Sequence, residues 1–330
     1  MMCGAGTSNC DGSDVNGCET RTSTDVNNCG AGGSAGAGCG VRCPSTGGAP
    51  SCSGGVCSLA CNTGFGNCDS DAANGCETNT QTSTTHCGAC GRTCTATQTC
   101  SAGNCVSRCP AGMQFIPSGM LLMGDVQGVQ LSAFCMGSTE VTLAEWRSCT
   151  APGCTTPNTG GACNFGVVGR DSHPVNCVDW LQARAYCQWR GGDLATEAQW
   201  EYAARGAEGR LYPWGNTPVP GSQLCWSGGG TSRSTTCAVA SFPAGSTQLG
   251  LLDMAGNIWE WVADWHAPYT GTASSYVLNP TGPASGTDRV FRGGSWVETN
   301  AGNYRMTYRR LAVPTNRSPS IGFRCARAAL

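Results

Sequence analysis

The sequence predicts an α+β domain poor in regular structure over residues 111–330, preceded by a small disulfide-rich region over residues 1–110. Seventeen of the 26 cysteines fall within the first 109 residues, whereas all ten tryptophans fall after residue 140. The large core therefore belongs to the second region. That region carries three helix-start signals, and the rest of it is Gly, Ser and Pro with isolated aromatics.

The first region is a duplication. Asn9-Cys10-Asp11-Gly12-Ser13-Asp14-Val15-Asn16-Gly17-Cys18-Glu19-Thr20 recurs as Asn67-Cys68-Asp69-Ser70-Asp71-Ala72-Ala73-Asn74-Gly75-Cys76-Glu77-Thr78, 58 residues later. Cys29-Gly30-Ala31 and Cys87-Gly88-Ala89 share that offset, and Cys52, Cys57, Cys61 repeat the spacing of Cys100, Cys105, Cys109. Between the cysteines lie turn-forming residues with almost no apolar area. Cross-links must therefore hold the module, each contributing about 2–4 kcal/mol. Their connectivity stays open, and an odd seventeen requires one cysteine to pair elsewhere. Cys87-Gly88-Ala89-Cys90 has the spacing of half a zinc site, without a second half at finger distance. Asp11, Asp14, Asn16, Glu19 and their echoes Asp69, Asp71, Asn74, Glu77 place oxygens near a glycine as calcium loops do, without the full twelve-residue pattern.

Composition narrows the function classes. Net charge is −2, all 19 basic residues are arginine, and no basic patch or acidic tail points to nucleic acid. At 40% hydrophobic the chain folds, and no run of about 18 apolar residues suits a membrane span. The cysteine density points to a secreted, periplasmic or cell-surface protein. Met1-Met2-Cys3 shows no apolar export segment, which reads as a truncated or misassigned start.

In the second region Phe115 to Met123 reads as a first strand with an edge proline at Pro117. Thr142 with Glu145, Asp179 with Gln182, and Thr196 with Gln199 stand three apart and start three short helices. Trp180, Ala183 and Cys187 share a face of the second, which Gly191-Gly192 stops. Trp200, Ala203 and Ala204 share a face of the third. Two stretches resist that reading: residues 249–265, with Trp259, Trp261 and Trp265 among glycines and acids, and residues 289–325, with Arg292-Gly293-Gly294-Ser295-Trp296 and Ile321-Gly322-Phe323-Arg324. Both read as packed irregular turns whose backbone groups need side-chain or metal partners.

These stretches, with Ile116-Pro117-Ser118-Gly119, Thr139-Glu140-Val141-Thr142, His173-Pro174-Val175-Asn176, Leu194-Ala195-Thr196-Glu197 and Tyr212-Pro213-Trp214-Gly215-Asn216, resemble the formylglycine-generating enzyme (sulfatase-modifying factor) family over residues 113–328. The resemblance implies a C-type-lectin-like fold and a disulfide between Cys187 and Cys325, while Cys225 and Cys237 flank one loop and are expected to pair. Cys135, Cys149, Cys154, Cys163 and Cys177 are left as an odd set, so one of them is expected to reach back to the repeats. The resemblance also implies a structural calcium on Asp253, Gly256, Ile258 and Glu260, whereas a second family calcium site lacks its Asn ligand, Cys225 standing there. Family enzymes oxidise a cysteine of a Cys-x-Pro-x-Arg segment with oxygen and copper(I) held by two thiolates, a soft ion on soft ligands. Those two positions are Glu298 and Asn303 here, so copper is not expected and no catalytic residue is assigned.

Trp259, Ser295 and Arg305 match positions lining the family's groove, with Glu298 beside them. A three-histidine iron site, known in another branch, is not matched by His86, His173 and His266. Two readings stay open. One is a secreted non-catalytic binding or scaffold protein whose groove takes a peptide or glycan. The other is an enzyme, an oxidoreductase of the formylglycine-generating type or another activity re-equipped in the same groove, with Glu298 as base or ligand.

Overall fold

The computed structural model describes residues 3–330 except 12, 14, 16, 31–38, 72 and 220, and divides into two units, Met1–Arg108 and Cys109–Leu330. In the first, the duplication is explicit in the cross-links. Cys3 bonds Cys18, Cys10 bonds Cys39, Cys29 bonds Cys52 and Cys43 bonds Cys57. Cys61 bonds Cys76, Cys68 bonds Cys90, Cys87 bonds Cys100 and Cys94 bonds Cys105. Each module thus joins its first cysteine to its third, second to fifth, fourth to seventh and sixth to eighth. Each also has a hairpin, Gly48–Ser53 with Val56–Cys61 and Gln98–Ser101 with Asn104–Ser107, pairing Cys52 across from Cys57 and Cys100 across from Cys105. The buried clusters here consist almost entirely of half-cystines, as the lack of apolar residues requires.

The zinc reading of this unit is corrected. Cys87 and Cys90 belong to different disulfides and offer no thiolate pair to zinc. Glu77 and Glu19 accept hydrogen bonds from the Cys68 and Cys10 amides, and Asp69 accepts from the Asp71 amide and Asn74. The Glu19 and Glu77 carboxyls, each first by its own backbone amide and then by these donors, and the Asp69 carboxyl by the Asp71 amide and Asn74, are held below the usual range. Asp14 and Asn16 lie outside the described residues.

The second unit is mostly sheet with three short helices. Helices α1 (Leu143–Arg147), α2 (Trp180–Trp189) and α3 (Glu197–Arg205) each begin with a complete capping box, from Thr142, Asp179 and Thr196. Gly191 takes a φ of 77° just past α2, a conformation that favours glycine. One four-stranded sheet runs Asp193–Leu194, Cys325–Ala328, Phe134–Gly137, Met113–Ile116. A second runs Arg309–Ala312, Arg289–Arg292, Trp259–Trp265, Ile321–Phe323. A three-stranded sheet joins Val277–Leu278, Gln127–Leu131 and Gly119–Met123.

Two sequence expectations fail here. The single first strand is two, Met113–Ile116 and Gly119–Met123, in different sheets, because Pro117 has no amide to continue the ladder. The tryptophan stretch is irregular only as far as Ile258; Trp259–Trp265 is a strand, and Arg289–Arg292 and Ile321–Phe323 flank it. It hid from the alternation test because Trp259, Glu260, Trp261 and Val262 are all buried, so neither face reads as polar.

The core has two parts, one around Trp200, Ile116, Phe134 and Tyr304, the other around Trp146, Trp180, Trp259, Trp261 and Phe323. Each large side chain fully removed from water contributes roughly 1.5–3 kcal/mol. Cys187 of α2 bonds Cys325 of the last strand, 138 residues on, which on a chain-entropy model contributes about 4–5 kcal/mol. Cys225 bonds Cys237, Cys149 bonds Cys154, Cys163 bonds Cys177, and Cys109 bonds Cys135. Cys109, the seventeenth cysteine, stands where a third module would begin. All 26 cysteines are therefore paired.

Candidate functional site

The turn entering the Trp259–Trp265 strand is laid against the Gly293-Gly294-Ser295-Trp296 corner. The Gly256 amide donates to the Gly293 carbonyl and the Trp296 amide to that of Asn257. Gly294 has a φ of 80°, and a side chain on it would meet the Tyr304 ring at 2.4 Å, so the close approach demands glycine. The Tyr304 hydroxyl donates to the Ser295 and Glu298 carbonyls at 2.7 and 3.1 Å, which fixes the loop carrying Glu298.

On that loop Glu298 and Asn303, the two positions that the resemblance assigns to a cysteine pair, come together. Asn303 Nδ2 donates to Glu298 Oε2 at 2.6 Å, Trp259 Nε1 donates to Oε1 at 3.2 Å, and Arg310 adds a bond to Oε1 at 3.0 Å. Arg310 also lies over the Trp259 ring, which packs edge-on against Phe291. Trp259 and Ser295 are buried, and the Ser295 hydroxyl has no hydrogen-bond partner. Arg305 is exposed at the end of the Ala301–Tyr304 turn and does not join these bonds. Three donors engage the Glu298 carboxylate, and with every cysteine in a disulfide the cluster holds no thiolate for a soft metal. Sequence reasoning missed Arg310, whose exposed strand position gave no signal.

Behind this face lies a second constellation. Glu260 is gripped by Arg324 through two bonds of 2.6 and 2.7 Å and by Trp200 Nε1 at 2.7 Å, all buried. Glu140, also fully buried, accepts from Asn257 Nδ2 at 2.9 Å and the Ile258 amide at 3.3 Å. Asp253 accepts from the Ala240 amide at 2.6 Å. Burial pushes the Glu140 carboxyl well above its ordinary range, and the charges of Asp253 and Glu260 push the same way. Asp253 is raised too, chiefly by burial. Three carboxyl groups thus share a single guanidinium.

Among the described residues no hydrogen bond ends on the buried Gly256 and Ile258 carbonyls. Excess negative charge beside unpartnered buried carbonyl oxygens fits a hard divalent cation. Glu140, quoted in the Thr139-Glu140-Val141-Thr142 motif, was not assigned to this turn from sequence, because its partners lie more than a hundred residues away.

Two of the three histidines have local partners. His173 Nδ1 lies 2.8 Å from Thr236 Oγ1, and burial followed by Arg170 lowers its pKa. His86 Nδ1 accepts from the Gly91 amide.

With this geometry in hand, a family model described as the sulfatase-modifying factor enzyme 1-like domain matches residues 98–329. The chain belongs to that family. It is similar to the formylglycine-generating enzyme of Streptomyces coelicolor, 41% identical over 174 residues, which is 48% of this chain and 54% of the relative. It is also similar to the inactive C-alpha-formylglycine-generating enzyme 2 of Bos taurus, 37% identical over 201 residues, 57% of this chain and 58% of the relative. The chain thus spans a little over half the length of these curated relatives. Among solved structures it is similar to Treponema denticola variable protein 1, with a TM-score of 0.52 at 25% identity over 66% of this chain and 94% of that one. The second unit of this sulfatase-modifying factor family member accordingly has the irregular C-type-lectin-like fold. Among the described residues no helix is long and apolar enough to cross a membrane.

Proposed function

We propose that this chain is a non-catalytic member of the sulfatase-modifying factor family, acting in an oxidising compartment outside the cytosol, whose Trp259–Glu298 face holds an extended peptide. The observation that carries this is the Glu298–Asn303 hydrogen bond at the two positions where the family's enzymes use thiolates. With every cysteine in a disulfide, no other thiolate can replace them. A relative whose name marks it as inactive, alike over 57% of this chain, supports the reading. Arg309–Ala312 is the outer strand of its sheet, and Tyr308, Leu311 and Val313 are exposed along it, which suits an extended peptide better than a glycan.

The test is incubation with a Cys-x-Pro-x-Arg peptide, copper(I) and oxygen, read by mass spectrometry and by tryptophan fluorescence. Saturable quenching without aldehyde is the expected result. Aldehyde formation with turnover would overturn the proposal, and quenching by oligosaccharide alone would move the ligand to the glycan class.

The same reading includes a structural calcium held by Asp253, Glu260 and the Gly256 and Ile258 carbonyls, with Glu140 adding charge. Its role would be to brace the turn that presents Trp259. Chelator should then lower Tm by several degrees and added calcium restore it. An unchanged Tm, with no calcium by elemental analysis, would remove it.

A further inference from the structure

A cavity of about 550 Å³ lies beneath residues 266–283 and shares no lining residue with the Trp259–Glu298 cluster. Its walls mix apolar side chains, Met123, Val277 and Leu278 among them, with neutral polar ones such as Gln127, Asn279 and Thr281, and Asp264, Glu197 and Arg309 supply its charges. The two carboxylates differ. Glu197 is neutralised, with Arg292 at 3.4 Å, Arg309 at 3.3 Å and the Tyr269 hydroxyl at 3.0 Å. Asp264, only 4% exposed, has one bond, to Oδ2 from the Glu197 amide at 2.7 Å. No hydrogen bond ends on its Oδ1, and among the described residues no cation lies within ion-pair distance of it. Gly282 passes close enough that a side chain there would meet Oδ1 at 2.8 Å, so the loop closes over this atom.

A buried carboxylate with no cation within ion-pair distance, opening on a chamber walled in part by Met123, Val277 and Leu278, suits a cation whose other end is apolar. We propose that this cavity binds a small primary amine with an apolar tail, its ammonium pairing with Asp264 Oδ1. An alcohol of the same shape could donate one hydrogen bond but would leave the charge uncompensated. Burial, opposed by the Glu197 amide and by Arg289 and Arg292, pushes the Asp264 carboxyl to about 7, as a site lacking its cation should.

The experiment is calorimetric titration of the full chain at pH 8, where carboxyl and amine are both charged, with n-hexylamine and with n-hexanol as the neutral control. The amine should bind at least about tenfold more tightly than the alcohol, and Asp264→Asn should remove that preference. Leu278 is exposed at the mouth, so Leu278→Arg keeps the fold and should weaken the amine by about tenfold through like-charge repulsion. Equal binding of amine and alcohol, no heat at millimolar amine, or full affinity in a folded Leu278→Arg variant would each overturn the assignment. The groove's peptide reading stands or falls separately, since none of these measurements touches Trp259 or Glu298.

Discussion

The two units use the same cross-link for different ends. In Met1–Arg108 the half-cystines are the core, the buried clusters being made almost wholly of them. In Cys109–Leu330 tryptophans, aliphatics and buried ion pairs make the core, and the disulfides fasten loops and chain ends to it. A short module of turns has no other means of offsetting its chain entropy, whereas a domain with ten tryptophans has several.

Reduction should separate the units most sharply. With four cross-links per module at about 2–4 kcal/mol each, dithiothreitol should unfold the first unit outright while the second keeps a cooperative melt at lower Tm. Limited proteolysis with circular dichroism checks this, and simultaneous loss of both units would break the contrast. Next comes the buried charge that only the second unit can carry. Glu260→Gln removes the carboxylate that takes two of the Arg324 bonds, leaving it only the more distant charges of Glu140 and Asp253, and should cost about 3–5 kcal/mol in urea unfolding. A loss under about 1 kcal/mol would mean that water or a bound cation already relieves the pair.

A smaller effect comes from Asp264, whose pKa rises from 3.8 to about 7 on folding. The folded chain then holds the extra proton between those values, so stability falls as pH rises from about 4 to 7 and the loss is complete above it. The amplitude is on the order of 4 kcal/mol, and Asp264→Asn should flatten that part of the curve. Smallest of all, Glu77→Gln changes an exposed carboxylate that caps one amide, and should leave the Tm of the oxidised chain unmoved.

What could be read in advance follows the range of the interactions. The helix starts at Thr142, Asp179 and Thr196 were legible because a capping box is complete within four residues. The duplication was legible, but its connectivity was not, since eight cysteines allow about 105 pairings and spacing does not choose among them. Trp259–Trp265 was misread because its acids are buried with partners from across the fold, Glu260 on Arg324 and one oxygen of Asp264 on the α3 amide. Local pattern treats such acids as solvent-facing. The Glu298–Asn303 contact was legible only as two positions in a motif; that they touch needed the Tyr304 anchor.

The bridge from Cys187 to Cys325 has one more consequence. Residues 266–288, the long segment over the amine cavity, lie within the stretch it closes. A protease cutting there would open the chain without releasing a piece: the nicked protein should run as a single band on a non-reducing gel and as two once the sulfurs are freed. Wear at this exposed segment would then be survivable, with the Trp259 strand still held by two sheet partners, Arg289–Arg292 and Ile321–Phe323, that both lie beyond the cut.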